Sequence, residues 1–234
     1  MSLQRICQHD VDVAELGESV HAIAERMRQR TVGCLVIVNE FREPIGIVTD
    51  RDLVIRVLAE GKDPYQVGHA QRVADYATKL AREVGVTGWD LTWLRIGAFI
   101  HDLGNMAVPE EVLRKADDLN EQERELMKVH TIMGDSMAKQ LDFPAEVRPV
   151  VRSHHEQWAG TGYPDRLVGE EIPLNARIVS LADVYDALTS PRSFRSAYAR
   201  DEALAVMHRD AEKMFDPRLF GVFEDMMKKG GFDG

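Results

Sequence analysis

Five histidines and two aspartates have the residue types and the spacing of a metal site. The histidines and one aspartate, Asp183, fall in phase with apolar residues of the predicted helices, which turns their side chains toward one interior. The set consists of His69, His101, Asp102, His130, His154, His155 and Asp183. One histidine on an apolar face is usually an ordinary core residue, but so many imidazoles and carboxylates buried together need a compensating charge. Divalent cations supply that charge, and histidine and aspartate without cysteine favour Fe, Mn, Zn or Ni.

The adjacent pair His101 and Asp102 indicates what such a site could do. Asp102 is suited to bridge two metal ions because it directly follows another predicted ligand. A two-metal site clamps a phosphate and lowers the pKa of a bridging water to about 7, which gives a hydroxide nucleophile at neutral pH. The pattern therefore predicts metal-assisted phosphate chemistry.

Two architectures follow each other along the chain of 234 residues. Residues 63–234 show one helical pattern after another, interrupted by a long Gly- and Pro-rich loop at 158–173. The predicted helices span residues 69–85, 89–103, 121–141, 144–156, 173–189 and 201–214. Residues 1–62 predict a compact α/β unit. Its predicted elements are a helix around residues 20–27, strands at 34–38 and 45–49, and a helix after Asp52. The expected fold is mainly α, an all-helical bundle preceded by a small α/β module.

Composition excludes several classes of protein. The chain has 29 Lys and Arg against 39 Asp and Glu, and the resulting net charge of −10 argues against a nucleic-acid polymer as partner. No apolar run approaches the length of a membrane span, and charged residues are spread through the first thirty positions, so we expect a cytoplasmic protein without a membrane partner. Cys7 and Cys34 are too few for a disulfide framework. Cys34 opens the run CLVIV and is predicted to be a buried free thiol.

The order of the chemical motifs resembles the HD-GYP family of metal-dependent phosphodiesterases, which hydrolyse the bacterial second messenger cyclic di-GMP. The resemblance rests on His69, the HD pair at 101–102, His130, the HH pair at 154–155, GYP at 162–164 and Asp183. Further matches are DPYQVGH at 63–69, ADVYDALTS at 182–190, RSFR at 192–195 and FDP at 215–217.

This resemblance implies a role for each motif. The seven histidines and aspartates become ligands of two divalent ions, with Fe or Mn favoured and Zn or Ni possible. Tyr163 lies on the loop over the site, and Arg192 and Arg195 contact the phosphate or guanine of a cyclic dinucleotide. Arginine suits that task because its planar fork pairs with two phosphate oxygens at once. The implied reaction is hydrolysis of cyclic di-GMP to linear pGpG or GMP.

Three positions depart from the family pattern. Asn105 stands where the pattern HDxGK has a lysine that is implied to hold the phosphate, and asparagine can donate a hydrogen bond but brings no charge. We expect Asp102 and Asn105 to be the catalytic residues of a slow enzyme, since one lost donor costs about 10²- to 10³-fold in rate. Ala159 replaces an aspartate before the GYP loop, which puts the ordering of that loop in question. Tyr65 stands where members with three metals carry glutamate, so two metals are expected.

Two alternatives to this enzyme remain open. The first is a degenerate HD-GYP receptor that binds cyclic di-GMP or a protein partner without turnover, which the residues at positions 105 and 159 motivate. The second is a hydrolase of another cyclic dinucleotide or of a nucleotide phosphate.

The stretch PIGIVTDRDL at 44–53 resembles a single CBS motif, a module that usually works in pairs and often binds adenosine nucleotides. In that family the positions of Thr49 and Asp52 hold phosphate and ribose, although a hydroxyl and a carboxylate at a helix start could equally be capping residues. Because one motif lacks its partner, we expect a homodimer through the CBS motifs. The short connection to His69 could transmit a nucleotide-induced shift.

Overall fold

The computed structural model describes residues 13–15, 17–18, 20–30, 34–49, 68–113, 115, 117–191 and 196–232. The chain divides into two compact units, Met1–Leu58 and Ala59–Gly234. The mainly α fold expected from the sequence is confirmed, with a small α/β unit followed by a helical one. Within the described ranges, no helix combines the length and the apolar character that crossing a membrane requires.

The amino-terminal unit contains a three-stranded sheet and one described helix. Its elements are β1 (Val13–Glu15), α1 (Val20–Arg30), β2 (Cys34–Val38) and β3 (Pro44–Thr49). β2 is the central strand, pairing parallel with β1 and antiparallel with β3. Apolar residues of the sheet and of α1 form its core, to which Ala14, Ile23, Met27 and Leu35 contribute. The helix expected after Asp52 lies outside the described residues.

Two features of this unit differ from expectation. Strand β1 was not expected, because three residues are too few for a periodic signal. The prediction of a buried Cys34 was wrong, since the thiol is exposed at the first position of β2. Side chains alternate between the two faces of a strand, so the burial of Leu35 directs its neighbour Cys34 to the opposite face.

The second unit is built from helices, which pack around one apolar core. Its α-helices are α2 (His69–Glu83), α3 (Gly88–Ile100), α4 (Glu110–Leu113), α5 (Glu121–Gln140), α6 (Arg148–Ser153), α7 (Leu174–Thr189), α8 (Arg200–Arg209), α9 (Ala211–Met214) and α10 (Pro217–Lys228). Short 3₁₀ helices span Leu103–Ala107 and Gly169–Glu171. Helix α2 packs against α3 and α7, while α5 packs against α6 and the first 3₁₀ helix. The largest buried core side chains include Leu80, Leu94, Ile178, Leu181 and Phe223.

Several helix boundaries differ from the sequence prediction. The helix predicted over 144–156 covers only Arg148–Ser153, because the ring of Pro149 excludes a helical turn before it. His154 and His155 therefore lie beyond the end of α6 rather than within a helix. The helix predicted over 201–214 is divided at Asp210 into α8 and α9.

Helix α10 was not expected, although the FDP motif explains where it begins. Asp216 accepts hydrogen bonds from the backbone N–H groups of Arg218 at 2.9 Å and Leu219 at 3.4 Å. Pro217 occupies the first helical position, where its missing N–H leaves no bond unmade. The carboxylate of Asp216 also accepts a 2.7 Å hydrogen bond from Arg177 of α7, so the motif joins two helices.

Candidate metal centre

The structure brings all seven sequence-predicted histidines and aspartates into two adjoining groups. The four-residue group consists of Asp102, His130, His154 and His155, and the three-residue group consists of His69, His101 and Asp183. Within each group, one possible ligand atom from every residue lies within 4.8 Å of the others. Three separate ligands at such spacing are enough to coordinate one cation, so the two groups offer two candidate metal positions.

Close contact between α5 and the 3₁₀ helix places Asp102 beside His130. Gly104 lies where the two segments meet, and a Cβ atom there would come within 1.8 Å of the backbone oxygen of His130. Only glycine allows this approach. Gly134, one helical turn after His130, makes the matching contact from α5, with its nitrogen 2.6 Å from the same Cβ position. Gly104 and Gly134 thus allow the segment that follows the HD pair to pack directly against α5, beside His130.

Hydrogen bonds at Nδ1 orient the imidazoles of the centre. His101 Nδ1 lies 2.7 Å from the backbone oxygen of Ala98, and His130 Nδ1 lies 2.7 Å from that of Met127. His154 Nδ1 lies 3.0 Å from the backbone oxygen of Val151. A carbonyl oxygen can only accept, so each Nδ1 must donate its proton. The lone pair of each neutral ring is then on Nε2, which is the tautomer that binds a metal through Nε2.

The inward Nε2 atoms have an arrangement that a cation would satisfy. His130 Nε2 and His154 Nε2 lie 3.3 Å apart, and two lone pairs at that distance cannot bond to each other. His101 Nε2 is buried and has no hydrogen-bond partner among the described residues. A buried polar atom without a partner is costly, and a metal ion bound at this position would remove that cost. The donor set therefore fits divalent metal ions.

Asp102 lies between the two groups. Its Oδ1 atom is 3.5 Å from His130 Nε2 and 3.9 Å from His154 Nε2, both in the four-residue group. Its Oδ2 atom is 3.7 Å from His101 Nε2, in the three-residue group. The two oxygens of one carboxylate thus face different groups, which is the geometry of a bridging ligand.

The charge states of His154, His155 and Asp102 favour metal binding. Burial lowers the pKa of His154 and His155 well below the ordinary value, and neighbouring histidines lower it further. Burial alone would raise the pKa of the Asp102 carboxyl, but the surrounding imidazoles, His101 foremost, outweigh it and lower that pKa. Neutral imidazoles and an ionised carboxylate are the forms that bind metals.

A second layer of residues, not identified from the sequence, supports His69. The Nδ1 atom of His69 lies 2.7 Å from Oδ2 of Asp186, and its Nε2 atom lies 3.4 Å from Oδ1 of Asp183. Asp186 is itself fixed by Arg72, which donates to it from Nε at 2.6 Å and from Nη2 at 3.0 Å. The sequence spacing could have identified these supporting residues. Arg72 follows His69 by three positions and Asp186 follows Asp183 by three, so each lies on the same helix face as a predicted ligand.

The GYP loop covers the four-residue group with Tyr163. The Tyr163 ring centroid lies 4.9 Å from that of His155 and 6.4 Å from that of His130. Glu156, which is 2% exposed and was not identified from the sequence, holds the loop by accepting hydrogen bonds from the backbone nitrogens of Asp165 at 2.7 Å and Leu167 at 3.1 Å. Burial raises the pKa of the Tyr163 hydroxyl, which therefore keeps its proton.

The other predicted site residues have different outcomes. Asn105 lies in the 3₁₀ helix directly after the HD pair, and its Oδ1 atom is buried without a partner among the described residues. Ala159 does not leave its part of the loop unsupported, since its N–H donates to the backbone oxygen of Lys213 at 2.9 Å. Thr49 is the last residue of β3. Three further predicted residues lie outside the described part of the chain, namely Asp52, Arg192 and Arg195.

Fold and site together define a helical domain with a candidate two-metal centre. The HD domain family matches residues 53–219, and the CBS domain family matches residues 3–59. The chain belongs to the HD domain family. Both resemblances noted in the sequence are thereby confirmed.

Two curated proteins named as phosphodiesterases are similar to this chain in sequence. The 3′3′-cGAMP-specific phosphodiesterase 3 of Vibrio cholerae is 34% identical over 167 residues, which cover 71% of this chain and 36% of that protein. The cyclic di-GMP phosphodiesterase response regulator RpfG of Xanthomonas campestris is 34% identical over 220 residues, covering 92% of this chain and 56% of that protein. The matched part of this chain thus spans 36% of the length of the first relative and 56% of the length of the second.

A solved structure shares the fold. The crystal structure of a cyclic GMP-AMP-specific phosphodiesterase of Vibrio cholerae superposes with a TM-score of 0.58 at 23% identity. The alignment covers 76% of this chain and 48% of that one. At this identity the likeness establishes the helical fold alone.

Proposed function

We propose that this chain is a metal-dependent phosphodiesterase that hydrolyses cyclic di-GMP to linear pGpG, GMP or both. The observation that carries the proposal is the pair of adjoining histidine and aspartate groups with Asp102 between them. Membership of the HD domain family supports it, as do the names of the two curated relatives, which are phosphodiesterases of cyclic dinucleotides.

The seven clustered residues are the proposed metal ligands, four for one ion and three for the other. Asp102 would contribute to both. Imidazole and carboxylate ligands without thiolate favour Fe or Mn, with Zn and Ni as compatible alternatives. When bound, two such cations supply Lewis acidity and a water of lowered pKa. The other contributions to catalysis would come from side chains of this chain.

Tyr163 and Asn105 are proposed to orient the substrate. The Tyr163 hydroxyl keeps its proton and so can donate a hydrogen bond to a phosphate oxygen beside His155. Asn105 offers an uncharged amide donor from the segment that follows the HD pair. Arg192 and Arg195 would pair with the phosphate or guanine, as the family resemblance implies. The loop around Tyr163 would also exclude water from the reacting phosphate.

Turnover of cyclic di-GMP tests this proposal. The protein is loaded anaerobically with Fe(II) or Mn(II), and product is followed for the wild type, for His101→Ala and for the matched control His208→Ala. His208 is exposed and pairs with Glu224, outside both groups. We expect metal-dependent product from the wild type and the control. His101→Ala should lose more than about 100-fold, since even residues that only support a ligand cost about 10- to 100-fold when replaced.

Asn105 favours one competing function, a receptor that binds a cyclic dinucleotide without turnover. Its amide brings no positive charge near the centre, and its Oδ1 atom lacks a partner among the described residues. If the wild type binds two metals and cyclic di-GMP but forms no product, hydrolysis is refuted and the receptor is favoured. Parallel assays with 3′3′-cGAMP separate a change of substrate from a loss of catalysis. This dinucleotide is a relevant comparison because the Vibrio cholerae relative is named as specific for it.

For domain organisation, we propose a CBS module at residues 1–62 and a catalytic domain at 63–234. The module would pair with that of a second chain and bind an adenosine nucleotide through Thr49 and Asp52. Light scattering of the whole chain should give the mass of a dimer, and AMP or ATP binding should be lost in Asp52→Ala. A monomer would contradict the pairing, and wild-type nucleotide binding by that variant would contradict the assignment of Asp52.

A further inference from the structure

A groove that Tyr163 lines adjoins the candidate metal centre. It lies between α5 and the GYP loop and has a volume of about 510 Å³. Tyr163 lines the groove and also contacts His155, with 4.9 Å between ring centroids. A ligand held at the metal centre could therefore extend into the groove past this one side chain. Its volume lies in the range of small-molecule sites.

The lining of the groove has the chemistry of a nucleotide site. Val129 and Ile132 of α5 are 37% and 46% exposed and line the groove together with Tyr163, so they supply apolar surface. Two cations, Lys128 and Arg166, line the groove with a single carboxylate. This local excess of positive charge contrasts with the net charge of −10 of the chain. Apolar and aromatic surfaces suit a base, and cations suit a phosphate.

Lys128 is the cation best placed to serve such a ligand. It lies two residues before the proposed ligand His130, and its ammonium nitrogen is 5.8 Å from the centroid of the Tyr163 ring. Its ion pair with Glu125 is exposed on both sides, with side-chain exposures of 41% and 66%. A pair of this kind contributes little stability, so an incoming phosphate could replace the carboxylate at small cost.

The groove is also shaped before a ligand arrives. Gly162 allows the loop to lie against the chain that leaves α6, because a Cβ atom there would be 2.3 Å from the backbone nitrogen of Gln157. The N–H of Tyr163 donates to the backbone oxygen of His155 at 3.2 Å. Such anchoring lowers the entropy that binding would otherwise lose.

We propose that this groove binds the half of the cyclic dinucleotide that is not being cleaved, with Lys128 pairing with its phosphate. The proposal rests on the proposed function, because it extends that substrate beyond the metal centre. A substrate with only one phosphate and no second nucleotide would leave the groove empty. Lys128 therefore acts on the affinity for cyclic dinucleotides and on the preference for them over small phosphodiesters.

Two substrates and one binding measurement test this assignment. Hydrolysis by the whole Mn(II)-loaded chain is compared for cyclic di-GMP and for bis(p-nitrophenyl) phosphate, which has no second nucleotide. Equilibrium binding is measured by calorimetry with a phosphorothioate analogue of cyclic di-GMP that resists hydrolysis. The variants are Lys128→Met, the charge-retaining Lys128→Arg, and the matched control Lys139→Met, which alters an exposed lysine near the end of the same helix.

The expected results separate charge from packing. Lys128→Met should weaken analogue binding and lower the ratio of kcat/KM for the two substrates by about tenfold, the loss of one charge-assisted hydrogen bond. Lys128→Arg should recover most of that loss, and Lys139→Met should stay within twofold of the wild type.

Contrary outcomes have distinct meanings. If the wild type binds the analogue and Lys128→Met binds it equally well, the groove assignment fails while the proposed function stands. The same conclusion follows if Lys128→Met impairs both substrates equally, because the residue would then serve the metal centre or the fold. If the wild type neither binds the analogue nor cleaves cyclic di-GMP, the proposed function fails and the groove assignment fails with it.

Discussion

Asp186→Asn should weaken metal binding although Asp186 belongs to neither ligand group. The carboxylate is 1% exposed and accepts hydrogen bonds from His69 Nδ1 and from two nitrogens of Arg72. An asparagine amide has one oxygen, so its NH₂ group must face at least one of these donors. If it faces His69, the imidazole tautomer that leaves the Nε2 lone pair available loses its support. Replacing such supporting residues typically costs about 10- to 100-fold in metal affinity.

The same substitution should also destabilise the fold. Removing one partner of a buried ion pair costs about 3–5 kcal/mol. The Arg72 side chain is 38% exposed and regains hydration, so we expect the free energy of unfolding to fall by about 1–3 kcal/mol. Urea unfolding with a chelator present measures this loss, separately from the effect of bound metal.

Calorimetric titration of Mn(II) into the metal-free protein measures the affinity. The matched control is Asp75→Asn, which makes the same change to an ion pair with Arg95 in which both side chains are more than 40% exposed. The control should keep wild-type affinity and stability. Wild-type Mn(II) affinity in Asp186→Asn would refute the supporting role assigned to the carboxylate.

Two further predictions concern the HD segment. Gly104→Ala should lower the free energy of unfolding by about 3 kcal/mol and weaken metal binding, because the added Cβ meets the backbone oxygen of His130 at 1.8 Å. The control Gly221→Ala adds a methyl group in open space within α10 and should instead raise the free energy of unfolding by about 0.5–1 kcal/mol. Urea unfolding of both variants measures this contrast. Asn105→Lys should raise turnover of cyclic di-GMP by about 10²- to 10³-fold by restoring a charged donor to the phosphate. An unchanged rate with intact metal binding would favour the receptor.

The fold and the cluster could be predicted because both depend on local pattern. Helical periodicity identified the bundle, and the phase of the histidines within it indicated a shared interior, which the two groups in the structure bear out geometrically. The end of α6 could not be found in this way, since the helical phase of Val147, Val151 and His154 continues past the point where the helix stops.

Residues that act through long-range packing were missed for a different reason. Asp186 and His69 are 117 positions apart, and although spacing places Asp186 on the same helix face as Asp183, it does not show which side chain Asp186 would contact. Lys128 has the sequence context of an ordinary exposed helical lysine. Its relation to Tyr163 exists only because the GYP loop returns to α5. Both contacts depend on how the helices and the loop pack, which spacing alone does not determine.

The end of α3 explains why the two groups are joined by adjacent residues. His101 retains helical dihedral angles, with φ −52° and ψ −34°, whereas Asp102 leaves them at φ −93° and ψ 12°. Neighbouring residues of a continuous helix project about 100° apart, and only one of them can face the interior squarely. Because α3 ends at Ile100 and only His101 keeps helical dihedral angles, His101 can face the three-residue group while Asp102 turns one oxygen toward His130, at 3.5 Å. A helix continued through position 102 would separate the two groups, so the break in α3 is what allows one dipeptide to serve both.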